Sequence, residues 1–238
     1  MAIQFDNRSQ EAELMDDLNS SGEVIDQTLK ELHTINRWLG GDHVTINGLN
    51  KLFSGKDFSG EVHILDIGCG GGDILKKICH WARKHSIPIK LTGIDANPNI
   101  VEYARSNTRD FPEISYRSLN IFSDEFRNIS CDVVTCTLFT HHFTDSELIR
   151  LFIQLKKQAR LGMVINDLHR HWFAYHSIKI LTKWFSRSEM VRNDAAVSVL
   201  RSFRKNELEQ VMDSCQISEY DLKWYWAFRW QLIAKWGS

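Results

Sequence analysis

The most informative residues of the chain are closely spaced glycines between two aspartates, in the run Asp66-Ile67-Gly68-Cys69-Gly70-Gly71-Gly72-Asp73. The run follows an apolar stretch at 61–67 and precedes a helical pattern at 73–85. Glycine lets the backbone approach a ligand closely, and the first turn of a helix offers unpaired N–H groups. The dinucleotide fingerprint G-x-G-x-x-G would need glycine at position 73, where Asp73 stands. Since an acidic side chain disfavours a pyrophosphate, the remaining pattern, D-x-G-x-G-x-G, argues against a dinucleotide.

Strands and helices are predicted to alternate around this loop. Apolar runs predict five strands, at 61–67, 89–95, 114–119, 132–138 and 161–168. Amphipathic patterns predict helices between them, at 73–85, 98–109 and from 145 onward. This order with short connections predicts an α/β fold, in which helices cover both faces of a parallel sheet. Ligands bind such sheets beyond the carboxyl ends of the strands, so functional residues should directly follow each strand.

Two segments fall outside this alternation. Residues 1–60 form a predicted N-terminal helical arm, with helical patterns at 11–18 and 23–39. Residues 169–203 form a helical insertion after the fifth strand, longer than one crossover helix needs. An aromatic helix is predicted at 171–185, followed by a polar stretch to Asp194 and a further segment to Phe203. Long insertions of this kind usually form lids or substrate-binding elements.

The C-terminal tail has apolar residues at every second position from Leu222 to Leu232. This alternation predicts strands with one buried face. No glycine or proline marks the turn between two such strands, so the sequence leaves its position open.

Length and composition limit the possible classes of protein. The 238 residues predict one large domain at 61–238 with a helical cap at 1–60. The 29 basic and 30 acidic residues lack the basic excess that is typical of proteins that bind nucleic acid. No apolar stretch approaches the roughly 18 residues of a membrane helix, and no secretory signal is recognisable. Five cysteines without C-x-x-C spacing predict a reduced, cytoplasmic protein with no metal site.

The glycine run and a second motif carry a resemblance to a known family. Residues 64–74 and the motif Gly93-Ile94-Asp95-Ala96-Asn97-Pro98 resemble motifs I and II of class I S-adenosylmethionine-dependent methyltransferases. The resemblance covers roughly residues 61–168. It implies a Rossmann-like, seven-stranded sheet that ends in an antiparallel hairpin, which the alternating tail can supply. It also implies S-adenosyl-L-methionine as the cofactor.

The resemblance also implies roles for individual residues. Gly68, Gly70 and Gly72 would pack against the methionine and ribose portions of the cofactor, with Asp66 beneath their loop. Asp95 would accept hydrogen bonds from both ribose hydroxyls, a task that suits a bidentate carboxylate. Other cofactor contacts are expected from Ala96, Asn120, Ile121 and Thr137. Asn120 stands where the family often has an acidic residue that contacts the adenine amino group.

The fourth strand is followed by Thr140-His141-His142-Phe143. The Asp/Asn-Pro-Pro-aromatic tetrad and the Pro-Cys pair of nucleic-acid methyltransferases do not occur there. The paired histidines resemble instead the small-molecule branch, which includes quinone-biosynthesis and polyketide-tailoring methyltransferases. Histidine is a natural base for the proton of a hydroxyl, so His141 and His142 are the predicted catalytic residues. The alternative, a histidine that caps the next helix or packs beneath the cofactor, stays open.

Substrate-binding residues are expected in the two flanking additions. Trp172 and Tyr175 offer an aromatic surface, and Arg192 and Asp194 are polar groups that could orient an acceptor. The sequence therefore predicts methylation, most readily at oxygen, of a small and partly hydrophobic acceptor. An RNA or protein methyltransferase and a non-catalytic cofactor-binding protein stay open as alternatives, and so do a monomer and a homodimer.

Overall fold

Within residues 5–56, 58 and 60–236, which the computed structural model describes, seven strands form one mixed sheet. The strands are β1 Val62–Ile67, β2 Ile89–Asp95, β3 Ile114–Ser118, β4 Cys131–Thr137, β5 Ala159–Leu168, β6 Tyr220–Tyr225 and β7 Arg229–Lys235. Their order is β3-β2-β1-β4-β5-β7-β6. The first five run parallel, whereas β7 pairs antiparallel with β5 and with β6. The predicted parallel sheet with a closing antiparallel hairpin is therefore confirmed.

Nine α-helices accompany the sheet in the described part of the chain. They are α1 Glu23–Trp38, α2 Gly41–Phe53, α3 Asp73–Lys84, α4 Pro98–Asn107, α5 Asp124–Arg127, α6 Asp145–Gln158, α7 Trp172–Phe185, α8 Glu189–Arg201 and α9 Lys205–Ser214. Apolar residues fill the space between helices and sheet in two large clusters. None of the helices in the described residues has the length and apolar character needed to cross a membrane.

Two helices begin at the residues that the sequence predicts, Pro98 and Asp145. Asn97 is the N-cap of α4, and its side chain accepts a hydrogen bond from the backbone of Asn99. Thr144 caps α6 in a reciprocal arrangement with Glu147. Because such caps depend on residues within one turn, they can be read directly from the sequence.

One prediction about local structure is wrong. Residues 11–18 do not form an α-helix, because the structure has only a 3₁₀ turn there, Leu14–Asp16. The backbone N–H groups of Leu14 and Met15 instead donate to the Asp194 carboxylate, 2.8 and 2.9 Å away. The polar stretch before Asp194, to which the sequence analysis assigned no element, contains the start of α8 at Glu189, and Asp194 is buried on that helix.

The predicted buried face of the tail is wrong in part. Trp230 and Leu232 are buried on β7, but Trp224 and Trp226 are 45% and 68% exposed. The reason is that β6 is the edge strand of the sheet and that the chain turns between Tyr225 and Arg229. The alternation of apolar residues therefore continues through the turn, although these residues do not share one buried face of the sheet.

Helix α2, which the sequence analysis did not delimit, packs on β5 and β7. A Cβ atom at Gly48 would lie only 2.4 Å from Val164, so this glycine permits the close approach. Of the predicted cap at 1–60 and domain at 61–238, residues 1–4, 57, 59, 237 and 238 lie outside the described residues. The boundary between cap and domain stays a prediction.

Candidate active site

The glycine loop connects β1 to α3, as predicted. Gly68, Gly70 and Gly72 all adopt positive φ angles, of 66°, 48° and 77°. Side chains would be strained there, and a Cβ atom on Gly68 would lie 2.2 Å from the Phe139 ring. A Cβ atom on Gly72 would lie 2.1 Å from the Tyr116 hydroxyl oxygen. The loop therefore requires glycine at each of the three positions that the spacing singled out.

Asp95, at the end of β2, faces this loop. Its carboxylate accepts hydrogen bonds from the backbone N–H of Gly70, at 3.3 Å, and of Asn97, at 3.0 Å. Burial raises the pKa of Asp95, and the backbone donors oppose that rise. A Cβ atom on Gly70 would meet only a methyl group of Leu29, at 3.9 Å. The open space above Gly70, next to an acceptor carboxylate, fits a nucleoside ligand with ribose hydroxyls.

Asp66 lies beneath the loop and is only 2% exposed. Its carboxyl group accepts one hydrogen bond, from Thr135 Oγ1 at 2.7 Å. Burial raises the pKa of Asp66 to about 7; Thr135 opposes the rise and the charge of Asp95 adds to it. Asp66 is therefore close to half protonated at neutral pH.

The other four predicted cofactor residues also lie at the carboxyl ends of the parallel strands, and they are Ala96, Asn120, Ile121 and Thr137. The exposed Asn120 uses its side-chain oxygen to accept a hydrogen bond from the backbone of Phe122. Thr137 shares a hydrogen bond of 2.9 Å with Thr45 on α2. The structure thus brings the predicted cofactor residues to one edge of the sheet.

His141 lies in a 3₁₀ turn after β4 and is only 2% exposed. Its Nδ1 is 2.7 Å from Asp167 Oδ1, and its Nε2 is 3.3 Å from Glu13 Oε1. Burial lowers the pKa of His141, but the two carboxylates outweigh it and raise the pKa to about 10. In this arrangement His141 keeps a proton at neutral pH, as an imidazolium between two carboxylates.

His142 is more accessible, with 20% of its side chain exposed. Its Nδ1 is 2.6 Å from Asp16 Oδ1, and its Nε2 is 3.9 Å from Glu13 Oε2. Its ring centroid lies 4.4 Å from that of His141. The two rings therefore present their Nε2 edges to the same carboxylate.

An aromatic cluster fills the space between the histidines and the glycine loop. The Phe139 ring lies 6.1 Å from His142 and 5.0 Å from Phe143, between ring centroids. Phe122 packs edge-on against Phe143 at 5.7 Å. Phe139 and Phe143 are half-buried, so this part of the edge is apolar as well as accessible.

Residues 5–17, which we call the N-terminal strap, cross over the turn that carries the histidines. Arg8 holds the strap by hydrogen bonds to the backbone oxygens of His141 and Phe143, at 3.0 and 2.7 Å. Arg201, on α8, donates to Asp16 at 2.8 Å and to the backbone oxygen of His142 at 2.6 Å. These two arginines place Glu13 and Asp16 against the histidines.

The four predicted substrate-binding residues occupy different surroundings. The carboxylate of Asp194 accepts a hydrogen bond from the backbone N–H of Leu14 in the strap. Arg192 donates to the backbone oxygen of Ser186. Tyr175 is buried against Phe5, whereas Trp172 is 56% exposed at the start of α7. Of these four residues, Asp194 is therefore the one that contacts the strap beside the histidines.

Sequence reasoning missed Glu13 and Asp167. Asp167 stands at the end of β5, so the rule that functional residues follow parallel strands could have identified it. Glu13 has no comparable signal, because it is 128 positions from His141 in a segment without regular structure.

The chain is similar to known methyltransferases in sequence and in fold. Residues 64–162 match a protein family described as "Methyltransferase domain". No curated protein sequence matches the chain. Among solved structures, the plantazolicin methyltransferase BpumL in complex with SAH aligns over 90% of this chain and 95% of that chain, at 17% identity and a TM-score of 0.63.

Two further structures have the same fold. A SAM-dependent methyltransferase from Aquifex aeolicus aligns over 88% of this chain and 97% of that chain, at 14% identity and a TM-score of 0.61. The CMeT domain of the citrinin polyketide synthase aligns over 78% of this chain, at 14% identity and a TM-score of 0.60. In that comparison this chain spans only about half of the other chain, 49% of its length. At such low identities the alignments show a common fold.

Proposed function

We propose that the protein is a class I methyltransferase that uses S-adenosylmethionine to methylate an oxygen of a small, partly hydrophobic molecule; the match of residues 64–162 to the family described as "Methyltransferase domain" supports this proposal. One observation carries the proposal. The glycine loop, the ribose-type acceptor Asp95 and the histidine pair lie along the same edge of the sheet. A cofactor site and an acceptor site can therefore be adjacent there, as methyl transfer requires.

The cofactor residues are proposed by position. Gly68, Gly70 and Gly72 hold the methionine and ribose portions of the cofactor, and Asp95 accepts hydrogen bonds from the ribose hydroxyls. The uncharged form of Asp66 supports the loop from below. Ala96 and Ile121 contact the adenine ring, Asn120 its amino group, and Thr137 borders the methionine portion. When bound, S-adenosylmethionine supplies an activated methyl group.

The surroundings of His142 support a small and partly hydrophobic acceptor. Phe139 and Phe143 provide an apolar wall beside the histidine. The N-terminal strap, held by Arg8, covers the neighbouring part of the edge. A folded protein or an RNA helix would have to displace this strap, whereas a small molecule would not. We propose that residues 1–60 and 169–203, including Trp172, Tyr175, Arg192 and Asp194, shape the acceptor pocket.

Transfer to a hydroxyl oxygen also requires the loss of its proton. We propose that His142 accepts this proton as the hydroxyl oxygen takes the methyl group, with Asp16 fixing the His142 ring through Nδ1, and that His141, fixed by Asp167, is a positioning residue beside it. The structures that the chain resembles in fold include a plantazolicin methyltransferase and the CMeT domain of a polyketide synthase, and this likeness supports a small-molecule acceptor.

Calorimetry with S-adenosylhomocysteine tests the cofactor site. Asp95→Asn should weaken binding by about 10- to 100-fold, because hydrogen bonds to a charged group contribute about 1.5–3 kcal/mol. Asp110→Asn, on an aspartate whose side chain is 85% exposed, is the matched control and should bind normally. Equal affinity of the Asp95→Asn variant and the wild type would show that the site is elsewhere.

The acceptor class can be tested with methyl-labelled S-adenosylmethionine. The protein is incubated separately with a panel of phenols and aromatic hydroxy acids, with total RNA and with a protein extract. We expect label in phenol ethers, and loss of the label in the His141→Gln/His142→Gln double variant. Label in RNA or protein contradicts the small-molecule proposal, and a methyl group on nitrogen or carbon contradicts O-methylation.

A further inference from the structure

Three potential metal ligands converge beside the proposed acceptor site. Glu13 Oε1 lies 3.3 Å from His141 Nε2, and Glu13 Oε2 lies 3.9 Å from His142 Nε2. One ligand atom from each of the three residues lies within 4.8 Å of the others. Ligands at about 2.1 Å from a tetrahedral metal ion are about 3.4 Å apart, so small side-chain movements would complete such a geometry.

The histidine rings are already oriented for this role. His141 Nδ1 is 2.7 Å from the Asp167 carboxylate, and His142 Nδ1 is 2.6 Å from the Asp16 carboxylate. A histidine that ligates a metal usually donates its other ring N–H to a carboxylate or a carbonyl, which fixes the tautomer and the ring. Both rings have this outer contact, and both consequently turn Nε2 towards Glu13.

Two of the converging atoms lack other partners. His141 Nε2 and Glu13 Oε1 are buried and have no hydrogen-bond partner of good geometry among the described residues. Buried polar atoms are nearly always hydrogen-bonded or bound to a ligand, because leaving them unpaired is costly. The 3.3 Å contact between them is close enough for a charge interaction but also for a shared ion.

The charges of the cluster are consistent with a divalent cation. Three carboxylates contact the histidines, those of Glu13, Asp16 and Asp167. Arg201 supplies one positive charge, 2.8 Å from Asp16 and 4.0 Å from Glu13. The carboxylates that contact the histidines therefore outnumber the guanidinium groups that contact those carboxylates, which favours a bound cation.

We propose that Glu13, His141 and His142 form a binding site for one divalent first-row transition metal ion, with zinc as the best match to two imidazole nitrogens and a carboxylate. Three protein ligands leave one coordination position open. Phe139 lies next to both His142 and the glycine loop, so an ion held by this cluster would be close to the part of the edge assigned to the acceptor. The link to the acceptor rests on the proposed function, whereas the binding of the ion does not.

Metal binding is measured on untagged, chelator-treated protein by calorimetry with Zn²⁺ and by the visible absorption of bound Co²⁺. The wild type should bind one ion per chain and give the intense bands of a four-coordinate cobalt site. His142→Gln is the main variant, because this partly exposed side chain is replaced with little risk to folding. It should weaken binding by about 100-fold or more, and Asp16→Asn by about 10- to 100-fold.

His80→Gln, which changes an exposed histidine on α3, is the matched control and should bind zinc like the wild type. The five cysteines are buried and unpaired, so they offer little competing affinity. A wild type that binds no zinc, or variants at Asp16 and His142 that bind it normally, would overturn the proposal. If chelator-treated protein methylates phenols at the wild-type rate, the link between the metal ion and the acceptor is wrong, and the proposed function stands. If zinc binds at this site but no small molecule is methylated, the metal site stands and the proposed function is wrong.

Discussion

The raised pKa of Asp66 should make the folded protein less stable as the pH rises. In the folded protein, burial raises the pKa of this carboxyl group from 3.8 to about 7. Between these two values the folded state binds more protons than the unfolded state, so the free energy of unfolding falls with increasing pH. Each pKa unit corresponds to about 1.4 kcal/mol, so the raised pKa of Asp66 lowers the free energy of unfolding by about 4 kcal/mol at pH 8. At pH 5 it lowers the free energy of unfolding by only about 1.6 kcal/mol.

Asp66→Asn removes the charge but keeps an oxygen that can accept the hydrogen bond of Thr135. The variant should therefore be more stable than the wild type, by an amount that grows by about 2–3 kcal/mol between pH 5 and pH 8. Urea unfolding of the protein without cofactor, at both pH values, measures this difference. Asp110→Asn serves as the control for removing a carboxylate from the surface.

The comparison between the two pH values separates this charge from other effects of the substitution. A difference between wild type and Asp66→Asn that stays constant from pH 5 to pH 8 would refute the reasoning, because it would show that Asp66 titrates normally. A variant that loses stability at pH 8 would show that the ionised carboxylate is stabilised by a contact that the structure does not explain.

Three substitutions test packing and capping, each by urea unfolding. Gly72→Ala should lower the free energy of unfolding by about 1–3 kcal/mol, because a side chain there is strained and meets Tyr116; an unchanged midpoint would contradict the tight loop. Arg170→Met should cost about 3 kcal/mol or more, since it leaves Glu207 without its partner at 2.5 Å, and a loss below 1 kcal/mol would show that the pair is unimportant. Thr144→Ala should cost about 1 kcal/mol by removing the cap of α6, whereas Thr144→Ser should retain most of it.

The cofactor half of the site was accessible from the sequence because its signals are local. The glycines follow one strand directly, and Asp95 ends the next, so neighbouring parallel strands bring them together without further information. The positive φ angles at Gly68, Gly70 and Gly72 explain why their spacing is readable: few other residues tolerate that conformation. The predicted boundaries of the first five strands also lie within two residues of those in the structure, because the hydrophobic pattern sets them.

The surroundings of the histidines were not accessible in this way. The sequence identified His141 and His142 but not Glu13 or Asp167, which decide the charge on His141. The strap reaches the histidines through Arg8, Arg201 and Asp194, and these contacts join residues more than a hundred positions apart. Side-chain contacts of this kind follow no periodicity, so no local pattern announces them.

The sequence alone thus determined the sheet, the glycine loop and the acidic residue that faces it, since backbone conformation and hydrophobic period are properties of short segments. The tertiary structure decided what the paired histidines can do. It buried one of them between carboxylates from two distant segments and turned both Nε2 atoms towards Glu13. The chemistry of a histidine depends on the charges and solvent around it, and those are set only when the chain has packed.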